Sequence, residues 1–387
     1  MIPQGYKQTE IGVIPENWNC VRFGEKVKIY RGGSPRPIQN YITTSSNGVN
    51  WIKIGDVGEN DKYIHSTQEK IIPEGVSKSR EVHVGDFILS NSMSFGRPYI
   101  LDIDGCIHDG WLTIQDYKNT FATEYLYYLL SSDQVYQQYL SMAAGSSVKN
   151  LNKDKVSALN VIYPNIPEQN RIAEALSDVD SMISSLEKLI AKEKAVKQGA
   201  MQELLTGKKR LPGFIGEWRK CKLKDVLTVG HGQSQHAIED VNGKYPILAT
   251  GGIIGRANSY LYDQPSVLIG RKGTIDKPQY METPFWTIDT LFYTKISTNY
   301  HAKYIFYVFC LIDWLDYNEA SGVPSLSASV IENIDVIIPE LREQVAIASI
   351  LCDIDNEIES LEQKLSKTRQ IKQGMMQQLL TGKIRLV

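Results

Sequence analysis

Apolar residues recur at alternating spacings of three and four along two long segments of the chain. The first segment lies between residues 172 and 204, and the second repeats its phase between residues 347 and 379. This spacing places the apolar residues on one face of a helix and is typical of a coiled-coil seam. Pro and Glu precede each segment and Thr-Gly follows it, as expected for a helix start and a helix end. The pattern predicts two long helices.

The two helical segments are copies of one sequence. Residues 168–211 return as residues 343–386 at a constant offset of 175, without a gap and with about half of the positions identical. Identity extends to polar positions such as Gln198 and Gln373, which helix packing alone does not require. Because a globular segment separates the copies, we expect them to pair antiparallel. Identical surface positions suit two identical partners bound with internal two-fold symmetry.

A segment of strand and loop character precedes each helix, and the two segments share a framework. Trp18 precedes a Gly-Gly-Ser turn as Trp218 precedes Gly-Gln-Ser, and an apolar strand at residues 86–89 corresponds to residues 266–269. The loops between these positions differ, as expected when one scaffold presents two recognition surfaces. We predict an α/β fold in four parts: a first domain (1–164), a first repeated helix (165–207), a second domain (208–338) and a second repeated helix (339–387).

Composition limits the classes of protein to consider. The chain has 387 residues and a net charge of −2, so overall charge does not favour nucleic acid and an isolated chain should bind DNA weakly. Its apolar runs are shorter than the roughly 20 residues that span a bilayer, which predicts no membrane contact and a cytoplasmic location. The sequence has no methyltransferase tetrapeptide, phosphate loop or metal-ligand spacing. We therefore expect no catalytic residues, no metal and no cofactor in this chain.

The order and duplication of these motifs resemble the DNA-specificity subunit of a type I restriction-modification system. Both helices end in Lys-Gln-Gly, Met-Gln and Leu-Leu-Thr-Gly-Lys, and residues 14–18 and 214–218 resemble the domain starts of that family. The resemblance implies a non-catalytic reader of double-stranded DNA, with one domain for each half of a bipartite, asymmetric target. It also implies two modification subunits, which bind S-adenosylmethionine and methylate adenine, and two motor-nuclease subunits that could join them.

Candidate reading residues follow from the chemistry of base edges. Arg and Lys pair with guanine, Asn and Gln pair with adenine, and Ser and Thr adapt to either. Such residues must lie on exposed loops. In the first domain the candidates lie after two strands: Arg31, Ser34, Arg36, Asn91, Ser94 and Arg97. In the second domain the corresponding loops carry Gln233, Ser234, Gln235, His236, Arg271 and Lys272, with Arg256 and Lys277 as phosphate contacts.

Two other functions remain open at this point. A DNA methyltransferase or nuclease with fused recognition domains would also need two readers, although its cofactor motif is missing from the sequence. A coiled-coil scaffold with no role on DNA would agree with the negative net charge. The basic and amide-rich loops on a common framework favour the reader, and their different chemistry predicts two different half-sites.

Overall fold

The computed structural model describes residues 2–58, 61–91, 95–143 and 150–387, which fall in two compact units. The first unit comprises Met1–Ser185 and Leu365–Val387, and the second comprises Leu186–Lys364. Each unit thus contains one globular domain, part of the first repeated helix and part of the second. A compact unit therefore combines segments that are far apart in the sequence.

Most secondary structure of the first domain is short strand. In chain order the elements are β1 (Tyr6–Thr9), β2 (Gly12–Pro15), β3 (Asn19–Arg22), β4 (Lys28–Arg31), β5 (Ile42–Thr43), β6 (Val49–Ile52), β7 (Tyr63–Ile64), β8 (Glu69–Ile71), α1 (Pro73–Val76), β9 (Arg80–Val82), β10 (Phe87–Ser90), β11 (Pro98–Leu101), β12 (Gly105–Ile107), β13 (Trp111–Gln115), α2 (Thr123–Leu130), α3 (Asp133–Ala143), α4 (Lys153–Ser157) and β14 (Asn160–Tyr163).

Along the chain, the second domain follows the first long helix and precedes the second. The remaining elements are α5 (Ile166–Leu204), β15 (Arg219–Lys222), β16 (Leu227–Gly230), β17 (Tyr245–Ala249), β18 (Gly252–Ala257), β19 (Ser266–Gly270), β20 (Gln279–Met281), β21 (Trp286–Thr287), β22 (Leu291–Ile296), α6 (Ala302–Leu311), α7 (Ala328–Glu332), β23 (Asp335–Ile338) and α8 (Leu341–Leu379).

Two five-stranded sheets form the body of the first domain. Their strand orders are β4-β13-β10-β11-β7 and β5-β8-β6-β12-β9. Strand β10 is buried along its length, with Phe87 and Leu89 in one apolar cluster and Ile88 in another. Alternate side chains of a strand point to opposite faces, so a strand with both faces covered has a continuous apolar sequence. This burial explains the apolar run at residues 87–89.

The second domain retains this framework with fewer strands. Its main sheets have the orders β16-β22-β19-β20 and β18-β17-β21. Strand β19 divides its side chains as β10 does, with Val267 and Ile269 in one cluster and Leu268 in the other. The parallel pair β17 and β21 corresponds to the parallel pair β6 and β12. The predicted relation between the two domains is therefore confirmed at their core strands.

The two long helices are present, and each has 39 residues. In the first unit, Lys372 Nζ lies 2.6 Å from Asp180 Oδ1, and Arg385 Nε lies 2.6 Å from Glu168 Oε1. Residue numbers thus rise on one partner as they fall on the other, so the helical segments of this unit run antiparallel.

The second unit repeats these contacts with the two copies exchanged. Lys197 Nζ lies 2.5 Å from Asp355 Oδ1, and Arg210 Nε lies 2.7 Å from Glu343 Oε1. Each residue is 175 positions from its equivalent in the first unit. In both units one copy of the repeat supplies the carboxylates and the other copy supplies the cations.

Candidate nucleic-acid interface

Four predicted reading residues of the first domain meet around Asp109, in the turn between β12 and β13. Ser34 Oγ donates to Asp109 Oδ1 at 2.8 Å, and Arg36 Nη2 lies 3.4 Å from Oδ2. Arg31 Nε and Asn91 Nδ2 donate to the Asp109 carbonyl oxygen at 3.3 and 3.0 Å. The loops after β4 and β10 therefore converge on one residue that the sequence patterns did not single out.

The Asp109 carboxylate is held in its ionised form. Burial favours the neutral acid, but the Ser34 hydroxyl, His108 and the two arginines outweigh it and keep the pKa of Asp109 below its usual value. Gly110 N donates to His108 Nδ1, so Nδ1 is an acceptor and Nε2 donates to Asp109 at 2.9 Å. A fixed negative charge behind the arginines orients their guanidinium groups.

The predicted residues of the first domain differ in exposure. Arg31 and Arg36 are exposed and Ser34 is half-buried. Asn91 was expected on an exposed loop, but this expectation is wrong because it is only 4% exposed and its amide is bound to Asp109. Arg97 lies elsewhere, with its guanidinium 5.8 Å from the ring centre of Tyr99. Ser94 lies outside the described residues.

The second domain contains an equivalent turn at Asp289, before β22. Arg271 occupies the position that Asn91 has after β10, and its Nη1 donates to the Asp289 carbonyl oxygen at 3.4 Å. Lys272 is exposed beside it. Gln233 N donates to Thr287 O at 2.8 Å, so this loop also reaches the same turn. The two domains thus build one support and place different side chains on it.

Two glycines explain why the loops can approach these turns so closely. A Cβ atom on Gly32 would lie 2.1 Å from His108 O, and one on Gly232 would lie 1.8 Å from Ile288 O. Any side chain would clash with the backbone at either position. The glycines are therefore required for close approach of the backbone, and both loops cross the same point of the framework.

The other candidates of the second domain lie around this turn or on the nearby strand. Ser234 and His236 are exposed and Gln235 is half-buried, in the loop held against β21 by Trp286 Nε1, which donates to the Gln233 carbonyl oxygen at 2.9 Å. Arg256 is exposed on β18 and Lys277 is exposed in the loop before β20.

A group of cations beside the first loop was missed by the sequence reasoning. The Arg80 guanidinium lies 5.0 Å and Lys153 Nζ lies 5.9 Å from the ring centre of Tyr30. Arg80 Nε also lies 3.5 Å from Arg31 O. These cations come from separate segments, so a linear motif could not reveal them. They make this surface suitable for phosphate contacts.

The described part of the chain shows neither a metal-binding cluster nor a helix that could cross a membrane. Within residues 2–58, 61–91, 95–143 and 150–387 there is no group of three His, Cys, Asp or Glu residues placed to hold a metal ion. Among the helices of those same residues, none combines the length and apolar character needed to cross a membrane.

Comparison with known proteins gives a consistent result. The model of the type I restriction modification DNA specificity domain matches residues 15–197 and 215–370. The type I restriction enzyme MjaVIII specificity subunit of Methanocaldococcus jannaschii is 25% identical, over 96% of this chain and 94% of its own length. The S subunit of a type I restriction-modification system from M. genitalium has a similar fold, with a TM-score of 0.62, 15% identity, and coverage of 94% of this chain and 96% of that one.

Proposed function

Because the chain belongs to the family of type I restriction-modification DNA specificity proteins, we propose that it reads a bipartite, asymmetric DNA target and carries two modification subunits. It is a specificity subunit and not an enzyme. Under this proposal each domain reads one half of the target, and methylation belongs to the partners. A helix of 39 residues is about 58 Å long, which exceeds the roughly 34 Å of one DNA turn.

The paired turns at Asp109 and Asp289 carry the reading part of the proposal. Each turn supports two loops: the loop after β10 or its equivalent β19, and a loop whose glycine, Gly32 or Gly232, lies against the turn. Arg31, Arg36 and Ser34 are available on the first, whereas Gln233 and Lys272 are available on the second. Different donors and acceptors on one framework favour two different half-sites.

A repeated surface on the helices supports docking of two identical partners. We call it the glycine stripe; it comprises Lys192, Val196, Gly199, Gln202 and Thr206 in one copy and Lys367, Ile371, Gly374, Gln377 and Thr381 in the other. Spacings of four, three, three and four place each set on one helix face, roughly opposite the buried seam of Leu186, Ile190, Met201 and Leu204. One stripe lies in each compact unit.

The glycines of the stripe have no packing role within the part of the chain that the structure describes. A Cβ atom on Gly199 or Gly374 would meet no atom within 4 Å, although glycine in a helix costs about 1 kcal/mol relative to alanine. Val196 and Ile371 beside them are 47% and 48% exposed. An exposed apolar residue next to an unneeded glycine suits the close approach of a helix from another protein, and Lys192 and Lys367 favour an acidic residue on it.

A recess adjoins the end of each stripe. In the first unit a cavity of about 570 Å³ is lined by Thr381 and Leu380. In the second unit a cavity of about 240 Å³ is lined by the equivalent Thr206 and Leu205. A recess at the corresponding end of each stripe supports one modification subunit per unit, although the two recesses differ in volume.

We assign S-adenosylmethionine to the modification subunits and no cofactor to this chain. Two motor-nuclease subunits would join the assembly for restriction. DNA in a bacterial or archaeal cell lies in the cytoplasm, and the proposal therefore places the complex there. Since the net charge is −2, we expect tight binding to DNA only when the modification subunits add their own phosphate contacts.

The test is to co-express the chain with its modification subunit and map methylated adenines across the host genome. We expect one motif with two defined halves and a gap of fixed length. The same mapping is done with a variant chain that carries Arg31→Ala and Arg36→Ala. This variant should relax the sequence requirement in one half of the motif and leave the other half and the gap unchanged. A stable complex that methylates without any motif would refute the proposal.

A further inference from the structure

An exposed apolar pair lies beside the reading loops of the second domain. Ile253 is 67% exposed and Ile254 is 52% exposed on β18, which is an edge strand of the three-stranded sheet β18-β17-β21. Exposed isoleucines on an open strand edge invite unwanted strand pairing. Their presence at this edge therefore requires a physical reason, and nothing in the core of the domain supplies one.

A bulge in the strand pairing sets the direction of this pair. Ile247 lies opposite Gly255, whereas Leu248 lies opposite Ile253, so Ile254 is an additional residue with no partner across the ladder. Bulges of this kind bend a strand and change the direction of its side chains. The partner strand β17 buries Ile247 and Leu248 at 0% and 2% exposure. The hairpin thus packs into the domain through β17 and exposes the isoleucine pair of β18 to solvent.

The tip of the hairpin contacts the predicted reading loop. Gln279 Nε2 donates to the carbonyl oxygens of Ala249 and Thr250, at 2.9 and 3.3 Å. A Cβ atom on Gly273, in the reading loop, would lie 3.9 Å from Thr250 Oγ1. The carbonyl of Leu248 accepts from Ile288 N at 3.1 Å, next to Asp289. The hairpin therefore belongs to the same surface as Arg271 and Lys272.

The first domain differs at the equivalent strand. Strand β8 pairs with β6 as β18 pairs with β17. Glu69 lies opposite Trp51 as Gly255 lies opposite Ile247, so the polar residues Thr67 and Gln68, just before β8, take the place of the isoleucine pair. On the other edge, β5 pairs with Lys70 and Ile71 of β8, and Glu239 forms a bridge to Ala257 at the corresponding place on β18. The same framework position is thus polar in one domain and apolar in the other. Such a difference between the domains is expected of a surface that distinguishes two half-sites.

We propose that Ile253 and Ile254 read thymine methyl groups in the half-site of the second domain. A two-stranded ribbon fits the major groove, where the C5 methyl of thymine is the apolar feature of the base edges. Arg256 on the same strand and Lys272 on the adjoining loop are exposed and add positive charge to this surface. This inference rests on the proposed function, since it needs a DNA target, and it adds apolar readout to the polar readers.

The test removes the methyl group and the side chains separately. The complex of the chain with its modification subunit is titrated with target duplexes in which each thymine of both half-sites is replaced, one at a time, by deoxyuracil. For the native complex we expect binding about three- to fivefold weaker at one or two thymines of a single half-site, as for the loss of one buried methyl. The variant Ile253→Ala/Ile254→Ala should bind the thymine target more weakly and show no such difference.

A control variant and the response to uracil show whether the isoleucine pair itself contacts the base. Ile215→Ala, at a 96% exposed isoleucine in the same unit, should retain the native response to uracil. The inference would be overturned if no replacement of thymine by deoxyuracil weakened binding of the native complex, or if the half-site contained no thymine. It would also be overturned if the double variant still responded to uracil. Loss of the modification subunit from the double variant would assign the pair to a protein contact instead. Failure of the native complex to bind its target specifically would count against the proposed function itself.

Discussion

At the residue scale, the exposed candidate reading residues of the first domain are arranged around one aspartate, Asp109, that the sequence patterns did not single out. Asp109 binds Ser34 and faces Arg36, and its carbonyl holds Arg31. A sequence shows which residues can donate to bases, but it does not show which residue orients them. Asp109 could have been found only by aligning the two domains, because Asp289 lies at the offset of 180 that relates their core strands.

Asp109→Asn should weaken specific DNA binding by the complex about fivefold, which is roughly 1 kcal/mol. The amide retains the shape of the side chain but loses the negative charge that faces Arg36 and accepts from His108 Nε2. The measurement is the dissociation constant for the methylation target, together with the methylation motif. The effect should be confined to one half of the motif.

Asp116→Asn is the matched control for this variant. Asp116 forms an exposed ion pair with Lys28 at 2.6 Å, just after β13 in the same domain, and exposed pairs contribute little. Equal loss of binding in both variants would mean that Asp109 acts through general charge and does not orient the reading loop.

At the scale of elements, the long helices could be predicted from sequence because their apolar spacing extends over many turns. The composition of the compact units could not. Glu168 and Arg385 are 217 positions apart, and a surface arginine near the end of a chain gives no indication of its partner. Asn91 shows a related limit, because the same amide suits a base edge or a buried backbone carbonyl.

The contact between Glu168 and Arg385 provides a stability prediction. The Glu168 side chain is 2% exposed and accepts two hydrogen bonds from the Arg385 guanidinium, at 2.6 and 2.7 Å. Arg385→Met would leave a buried carboxylate without its cation and should destabilise the first unit by about 3 kcal/mol. Trp18 donates to the same carboxylate, so urea unfolding followed by tryptophan fluorescence would detect the loss.

Two further variants distinguish the ion pair from simple truncation of an arginine. Arg171→Met removes an exposed arginine from α5, the helix that contains Glu168. It should change the free energy of unfolding by less than about 0.5 kcal/mol. Adding Glu168→Gln to Arg385→Met should recover part of the loss, since a neutral amide is less costly to bury than a carboxylate. A double variant as unstable as the single one would show that packing, and not charge, is responsible.

At the scale of the whole molecule, one substitution in the repeat should have two opposite effects: it should raise the stability of the chain and weaken the binding of its partners. Gly199→Ala and Gly374→Ala should each stabilise the chain by about 0.5 to 1 kcal/mol, because alanine favours the helix and the structure leaves room for its methyl group. If the glycine stripe receives a helix of the modification subunit, the same methyl group should prevent close approach. Each single variant would then bind one modification subunit, and the double variant would bind none.

Light scattering of the purified complexes would measure this stoichiometry, and urea unfolding of the chain alone would measure stability. Ser366→Ala is the matched control, because Ser366 is exposed on α8 and its equivalent in the first copy is already Ala191. It should favour the helix without changing the number of partners. A double glycine variant that is more stable and still binds two modification subunits would place the docking surface elsewhere. A gain in stability with a loss of partners would mean that the repeat retains its two glycines for assembly at the expense of its own folding.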